Sequence, residues 1–186
     1  ARERTFGKEH PDTLTSTNSL AYLYQEQGQY DKAEPLFIRT MEARERTLGK
    51  EHPDTLTSMN NLALLYHAQG RHNKAEPLFI RTMEARERTL GKEHPKTFTS
   101  INNLASLYYA QGQYDKAEPL FSRAMEFSEE TLGREHPYTL TSMNNLAYLY
   151  QEQGKYDKAE PLFSRVLEAS ERTLGKEHPE TLISLN

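Results

Sequence analysis

The chain has 186 residues, no cysteine, and a net charge of -4 from 23 basic and 27 acidic side chains. That balance argues against a dedicated nucleic-acid or polybasic-lipid binder, and the missing cysteines exclude a disulfide framework, a zinc ribbon and a thiol nucleophile. No apolar run reaches the roughly 20 residues that span a bilayer, so no membrane insertion is expected; the lack of cysteine agrees with a reducing compartment, and a cytoplasmic setting is expected.

Read from the N-terminus, the chain restates one phrase every 42 residues. Lys-Ala-Glu-Pro-Leu-Phe begins at Lys32, Lys74, Lys116 and Lys158, and Glu-His-Pro at Glu9, Glu51, Glu93, Glu135 and Glu177. A fixed period of this length marks a repeat array whose units bury their apolar faces only against neighbours. The phrasing divides the chain into the end of a truncated repeat at 1–7, full repeats at 8–49, 50–91, 92–133 and 134–175, and the start of a truncated fifth at 176–186. The sequence therefore reads as a piece of a longer array.

Within a repeat, two helices follow one another. In the second, Leu56, Met59, Leu62, Ala63 and Tyr66 recur at spacings of three and four and predict helix A over Pro53 to Gln69. Its proline suits the first helical turn, Asp54 adds negative charge near the N-terminus, and Gly70 supplies a stop. Ala75, Leu78, Phe79, Thr82, Met83 and Ala85 then predict helix B over Asn73 to Thr89, closed by Gly91. Asn73 is its expected N-cap, replaced by Asp31, Asp115 and Asp157 in the other repeats, with Glu76 placed for a capping box and Pro77 at the edge of the first turn. Glu42 with Arg46 and Glu84 with Arg88 stand four apart and read as pairs on a solvated face. No segment reads as a strand, so the expected fold class is all-α.

At these positions the pattern resembles the tetratricopeptide repeat, in particular the 42-residue variety of kinesin light chains and related bacterial and fungal sensor proteins. The first repeat carries the resemblance in Leu20, Ala21, Tyr24, Gly28, Tyr30, Ala33, Phe37 and Thr40, and the second in Leu62, Ala63, Tyr66, Gly70, His72, Ala75, Phe79 and Thr82. The third and fourth repeats continue in register, from Leu104 to Ala124 and from Leu146 to Val166. The resemblance implies a right-handed α-solenoid of antiparallel helix pairs, with helix A lining a concave groove. It implies a protein-interaction scaffold that binds a peptide segment of a partner.

If helix A lines such a groove, the face away from its Leu/Ala/Tyr stripe meets the ligand. That face carries Asn18, Tyr22 and Gln25 in the first repeat, and Asn60, Asn61, Leu64 and His67 in the second. It continues in Asn102, Asn103, Ser106 and Tyr109, then Asn144, Asn145, Tyr148 and Gln151. Asparagine is a mediocre helix former, so its recurrence in mid-helix calls for a reason. A carboxamide that both donates and accepts suits the backbone of an extended peptide. Bonding across to the next helix A is the alternative, open for Asn18, Asn60, Asn102 and Asn144, whereas Asn61, Asn103 and Asn145 are expected to face ligand. The copies also differ: Glu26 and Glu152 close helix A in the outer repeats, favouring basic flanks in a partner, while His67 and Tyr109 mark the inner ones. With helix axes about 10 Å apart, four repeats offer roughly 40 Å, room for about 12 extended residues.

Catalysis has no motif to stand on, and no cofactor or metal is expected. His10, His52, His94, His136 and His178 recur a full repeat apart, too far to share one ion at about 2 Å, and they read as residues flanking helix N-termini. Lysine and arginine are absent from the groove positions, so a clamp on a peptide's C-terminal carboxylate is not expected. Two other roles fit the sequence: head-to-tail self-association or spacing through uncapped ends, and the ligand-sensor array of a larger nucleotide-binding signalling protein.

Overall fold

A computed structural model describes Gly7 and residues 9–174. Among the described residues every regular element is helical. The chain divides after Gly91 into two compact units, Ala1–Gly91 and Lys92–Asn186. The first holds α1 (Pro11–Glu26), α2 (Tyr30–Leu48), α3 (Pro53–Ala68) and α4 (His72–Leu90); the second holds α5 (Pro95–Ala110), α6 (Tyr114–Leu132), α7 (Pro137–Glu152) and α8 (Tyr156–Leu174). Within each unit the elements pack in sequence order, helix A on helix B and helix B on the next helix A, and α5 also touches α7. The architecture is an all-α array of helix pairs.

Each helix A begins by the same local device. The Nδ1 lone pair of the N-cap histidine accepts the backbone N–H two residues on, from Asp12 to His10 at 3.2 Å, Asp54 to His52 at 3.2 Å, Lys96 to His94 at 3.1 Å and Tyr138 to His136 at 3.2 Å. Proline follows at the first helical position of all four, where its missing N–H costs nothing. These histidines flank helix N-termini as expected, and they also cap them; His178 lies outside the described residues.

The turn from helix A to helix B is a Schellman motif. Gly70 N donates to His67 O at 2.9 Å and Arg71 N to Tyr66 O at 2.8 Å, which satisfies two carbonyls the ending helix leaves free. The motif requires a left-handed residue, and Gly70 has φ +69°. Gly28, Gly112 and Gly154 repeat it at +69°, +70° and +71°.

Helix B starts earlier than the sequence pattern suggests. The N-caps of α2, α4 and α6 are Gln29, Arg71 and Gln113, none with a side-chain capping bond. Asn73, Asp31, Asp115 and Asp157 instead occupy the second helical position, because the Schellman turn already places the preceding residue in helical geometry. The carboxylates there act on the helix dipole rather than as caps. Pro77 consequently lies inside α4, as do Pro35, Pro119 and Pro161 in their helices. All four prolines are exposed, so the carbonyl left without a donor is on the water side of the helix.

The core of the first unit gathers Leu14, Ala21, Ala33, Phe37, Leu56, Met59, Ala63, Leu65, Ala75 and Phe79. That of the second gathers Phe98, Ile101, Ala105, Leu107, Ala117, Phe121, Met143, Ala147, Leu149 and Val166. Polar ties join successive helices around it. Arg44 Nη1 donates to Asp54 O at 3.2 Å and to Ser58 Oγ at 2.9 Å, fastening α2 to α3. Glu34 accepts from Arg71 at 2.6 Å and from the Tyr66 hydroxyl at 3.1 Å, and Glu118 takes Lys155 and Tyr150 in the same way at 3.3 and 3.2 Å.

Glu42 still attracts Arg46 and Glu84 attracts Arg88, but the direct contacts of these arginines are longer-range ties. Arg46 bonds Glu9 at 2.6 Å, Arg88 bonds Glu51 at 2.5 Å, and Arg172 bonds Glu135 at 2.9 Å. Each arginine swings to the loop that precedes its own helix A, where a carboxylate meets it directly. Glu130 stands at the corresponding position of the third repeat.

Candidate functional site

In the first unit, α1 and α3 bring their polar faces side by side. Asn61 Nδ2 donates to Asn18 Oδ1 at 3.3 Å, and Asn61 also hydrogen-bonds the Tyr22 hydroxyl. Burial raises the Tyr22 phenol above its ordinary value, and the bond from Asn61 partly offsets that. Tyr22 itself stands edge-on against Phe37, with ring centroids 5.3 Å apart. Asn61 is only 4% exposed. It therefore ties α1 to α3 rather than lying open to a ligand, since two helices this close let one carboxamide reach the next. Asn60 is buried as well.

Leu64 and His67 are half-buried on the same face. His67 packs across the Gly70 turn onto His72, with ring centroids 5.5 Å apart. Burial, and secondarily the neighbouring His72, hold the His67 imidazole below its ordinary value. Asn18 and Gln25 are half-buried and Tyr22 exposed.

In the second unit the tie between the two A helices uses different atoms. Asn102 Nδ2 donates to Ser142 Oγ at 2.9 Å, and Asn102 is buried. Asn103, Ser106, Tyr109, Asn144 and Asn145 are half-buried, and Tyr148 and Gln151 are exposed. The asparagine columns thus split by burial: Asn60, Asn61 and Asn102 are buried, Asn61 and Asn102 fastening helix to helix, and the rest retain solvent access. The Tyr109 ring meets Tyr114 at 5.7 Å, and its hydroxyl is raised above its ordinary value by burial first and then by Glu152, Tyr114 and Tyr148.

Tyr114 and His72 were not among the sequence candidates. Both open a helix B, yet each meets a helix A residue five positions back across the Schellman turn. The signal in the second repeat was the joint change of both positions, His67 with His72; in the third only Tyr109 changes, and Tyr114 is the tyrosine that Tyr30 and Tyr156 repeat.

Among the described residues no group of three metal-ligating side chains comes together, and the histidine caps spend their Nδ1 atoms on backbone N–H groups. What the faces offer is carboxamides, hydroxyls and aromatic rings on a rigid helical frame. The same frame is found in known proteins: the family pattern of the tetratricopeptide repeat matches residues 12–87, 59–130, 96–169 and 138–186. The chain belongs to the tetratricopeptide repeat family.

Among solved structures, this tetratricopeptide array is similar to a kinesin light chain-like protein of Podosopora anserina with nearly identical TPR-like repeats. The identity is 36%, over 95% of this chain and 83% of that chain, at a TM-score of 0.82. A single-substitution variant of that protein gives 33% over 93% and 82%, at 0.80. BtubC (BKLC) of P. vanneervenii shares the fold at a TM-score of 0.79, with 24% identity over 91% of this chain and 68% of that one. A search of curated proteins finds no match. Tetratricopeptide arrays are non-catalytic scaffolds that bind protein partners. No helix among the described residues is long and apolar enough to cross a membrane.

Proposed function

We propose that the chain binds peptide segments of a protein partner along its A-helix faces, one face formed by α1 and α3 and one by α5 and α7. The observation that carries this reading is the split among the asparagines. Asn61 and Asn102 spend their carboxamide donors on the neighbouring helix, which fixes the faces, while Asn144 and Asn145 keep access to solvent. A rigid face with accessible donors and acceptors needs no reorganisation to bond an extended backbone. Two A helices about 10 Å apart give each face about 20 Å, room for about six extended residues. Affinity for a flexible peptide of that length is expected near the micromolar range.

The test is a peptide-display screen against the purified chain, with an Asn103→Ala/Asn145→Ala variant as the matched control. Selective peptides that bind the parent and are lost in the folded variant support the reading. A screen that yields no selective peptide, or peptides indifferent to both changes, overturns it.

A second reading, self-association, is favoured by one observation. Leu20 and Leu23 on α1 are 41% and 53% exposed, whereas their counterparts Leu62 and Leu65 on α3 are 3% and 0% exposed. An uncovered apolar stripe of that kind suits another helix. Light scattering over a wide concentration range decides this reading: mass rising with concentration, and falling back in a Leu23→Glu variant, supports it, and a monomer throughout removes it.

A further inference from the structure

One corner of the second unit has a composition found nowhere in the first. Tyr109 lies near the C-terminal end of α5, with its ring 5.7 Å from Tyr114 and tilted by 48°. The Asn102–Ser142 bond sets the register of α5 on α7. Two turns further along both helices, that register brings Tyr109 opposite Tyr148 and Glu152, which stand four residues apart on one side of α7. Tyr148 is held edge-on against Phe163, with centroids 5.0 Å apart, yet remains 44% exposed. Its orientation is set from α8 while one side of the ring stays open.

Glu152 is exposed and makes no ion pair among the described residues. Two half-buried acids of the unit are spoken for: Glu118 takes Lys155 and Glu129 takes Arg165. Three tyrosine rings gathered near an unpaired carboxylate form a surface of electron-rich faces and negative charge. Such a surface attracts an organic cation, the ring quadrupoles and the carboxylate acting together. Apolar anchors suit the rings as well, but they leave the carboxylate without a partner. In the first unit the matching positions are Gln25, Tyr30, Leu64 and Ala68, which offer a single ring and no charge.

We propose that Tyr109, Tyr114, Tyr148 and Glu152 form a seat for a cationic side chain, arginine or lysine, of a bound peptide. The proposal rests on the reading of the A-helix faces as peptide-binding, and it assigns the α5/α7 face a preference for basic segments.

The probes are a short capped Gly/Ser peptide carrying one arginine and its twin carrying citrulline, which keeps the shape and removes the charge. Titration to about 1 mM is followed through the tyrosine ring and backbone amide signals by NMR, a range that detects even millimolar affinity. The expected result is that the arginine peptide binds about tenfold tighter than its twin and shifts the Tyr109 and Tyr148 ring signals. The preference is expected to vanish in Glu152→Gln and to persist in Glu160→Gln, an equal charge change at an exposed site on α8. Equal binding of both peptides, with amide shifts on α5 and α7, overturns the cation seat and leaves the peptide-binding face standing. No shift with either peptide overturns both.

Discussion

Replacing Gly70 by alanine isolates a single term in the stability of the first unit. A Cβ built on Gly70 meets no atom within 4 Å, and the residue sits at φ +69°. Crowding therefore contributes nothing, and the whole effect is conformational. Holding an L-residue in the left-handed region costs about 1–2 kcal/mol, and the stiffer unfolded chain returns about 0.4–1 kcal/mol, which leaves a net loss of about 1 kcal/mol. With a urea slope of about 2 kcal/mol/M, the midpoint falls by about 0.5 M. Equilibrium urea unfolding followed by circular dichroism reads that shift. Gly112→Ala, at φ +70° with the same open surroundings, is expected to cost the second unit as much, and Gly70→Asn to cost less, because asparagine tolerates this region better. A Gly70→Ala variant indistinguishable from the parent, or one no worse than Gly70→Asn, would refute the assignment of Gly70 as an obligatory left-handed turn residue.

Four further outcomes are expected. His52→Ala removes the Nδ1 acceptor at the start of α3 and is expected to cost about 1 kcal/mol, while His52→Asn restores a capping oxygen and most of the loss; thermal unfolding of the three proteins compares them. Asn61→Ala is expected to lose about 1 kcal/mol of stability with its bond to Asn18, whereas Asn145→Ala leaves stability unchanged, so urea midpoints separate the fastening asparagine from the accessible one. Hydrogen bonding from Arg71 holds the Glu34 carboxyl below its ordinary value of 4.5. The unfolded state takes up the proton first as pH falls, so this stabilisation is complete above 4.5 and fades as pH drops through the lower folded value; Arg71→Leu is expected to flatten that part of the acid titration. For His67, burial lowers the imidazole below 6.5, so the unfolded chain again binds the proton first and stability declines as pH falls below 6.5. His67→Gln is expected to abolish that decline, measured by urea midpoints at neutral and mildly acidic pH.

Much of this molecule was legible in its sequence because its interactions are local and repeated. The Leu56, Met59, Ala63 and Tyr66 stripe and the stop at Gly70 follow from helical period and glycine's backbone freedom alone, and both appear in the structure. The start of helix B was misplaced because Asp31 and Asn73 are good caps by residue type, while the Schellman turn, a backbone device without a side-chain signature beyond glycine, had already begun the helix. Arg46 illustrates the same limit. Its partner at i−4, Glu42, still attracts it, yet the direct contact is made by Glu9, brought near only by packing of α2 against the preceding loop.

The candidate faces were less legible still. Asn61 and Asn145 occupy equivalent positions in near-identical phrases, so sequence alone assigns them one role. Burial separates them, since Asn61 is covered and Asn145 is not. The neighbourhood of Tyr109 is also a product of packing, as it joins residues from α5, α6 and α7 that no local pattern connects.

Among the described residues the side-chain ties between helices stay within adjacent repeats, and the one spanning the most sequence joins Asn18 to Asn61. A chain assembled from such short-range contacts has low contact order and is expected to fold quickly, with each repeat able to start the process for its neighbours. The same economy of reach governs its response to tension. Ties of such short reach let a chain pulled from its ends yield repeat by repeat, each 42-residue segment releasing about 14 nm of contour at about 3.4 Å per residue. The sequence period would thus be read out as a ruler in a force trace.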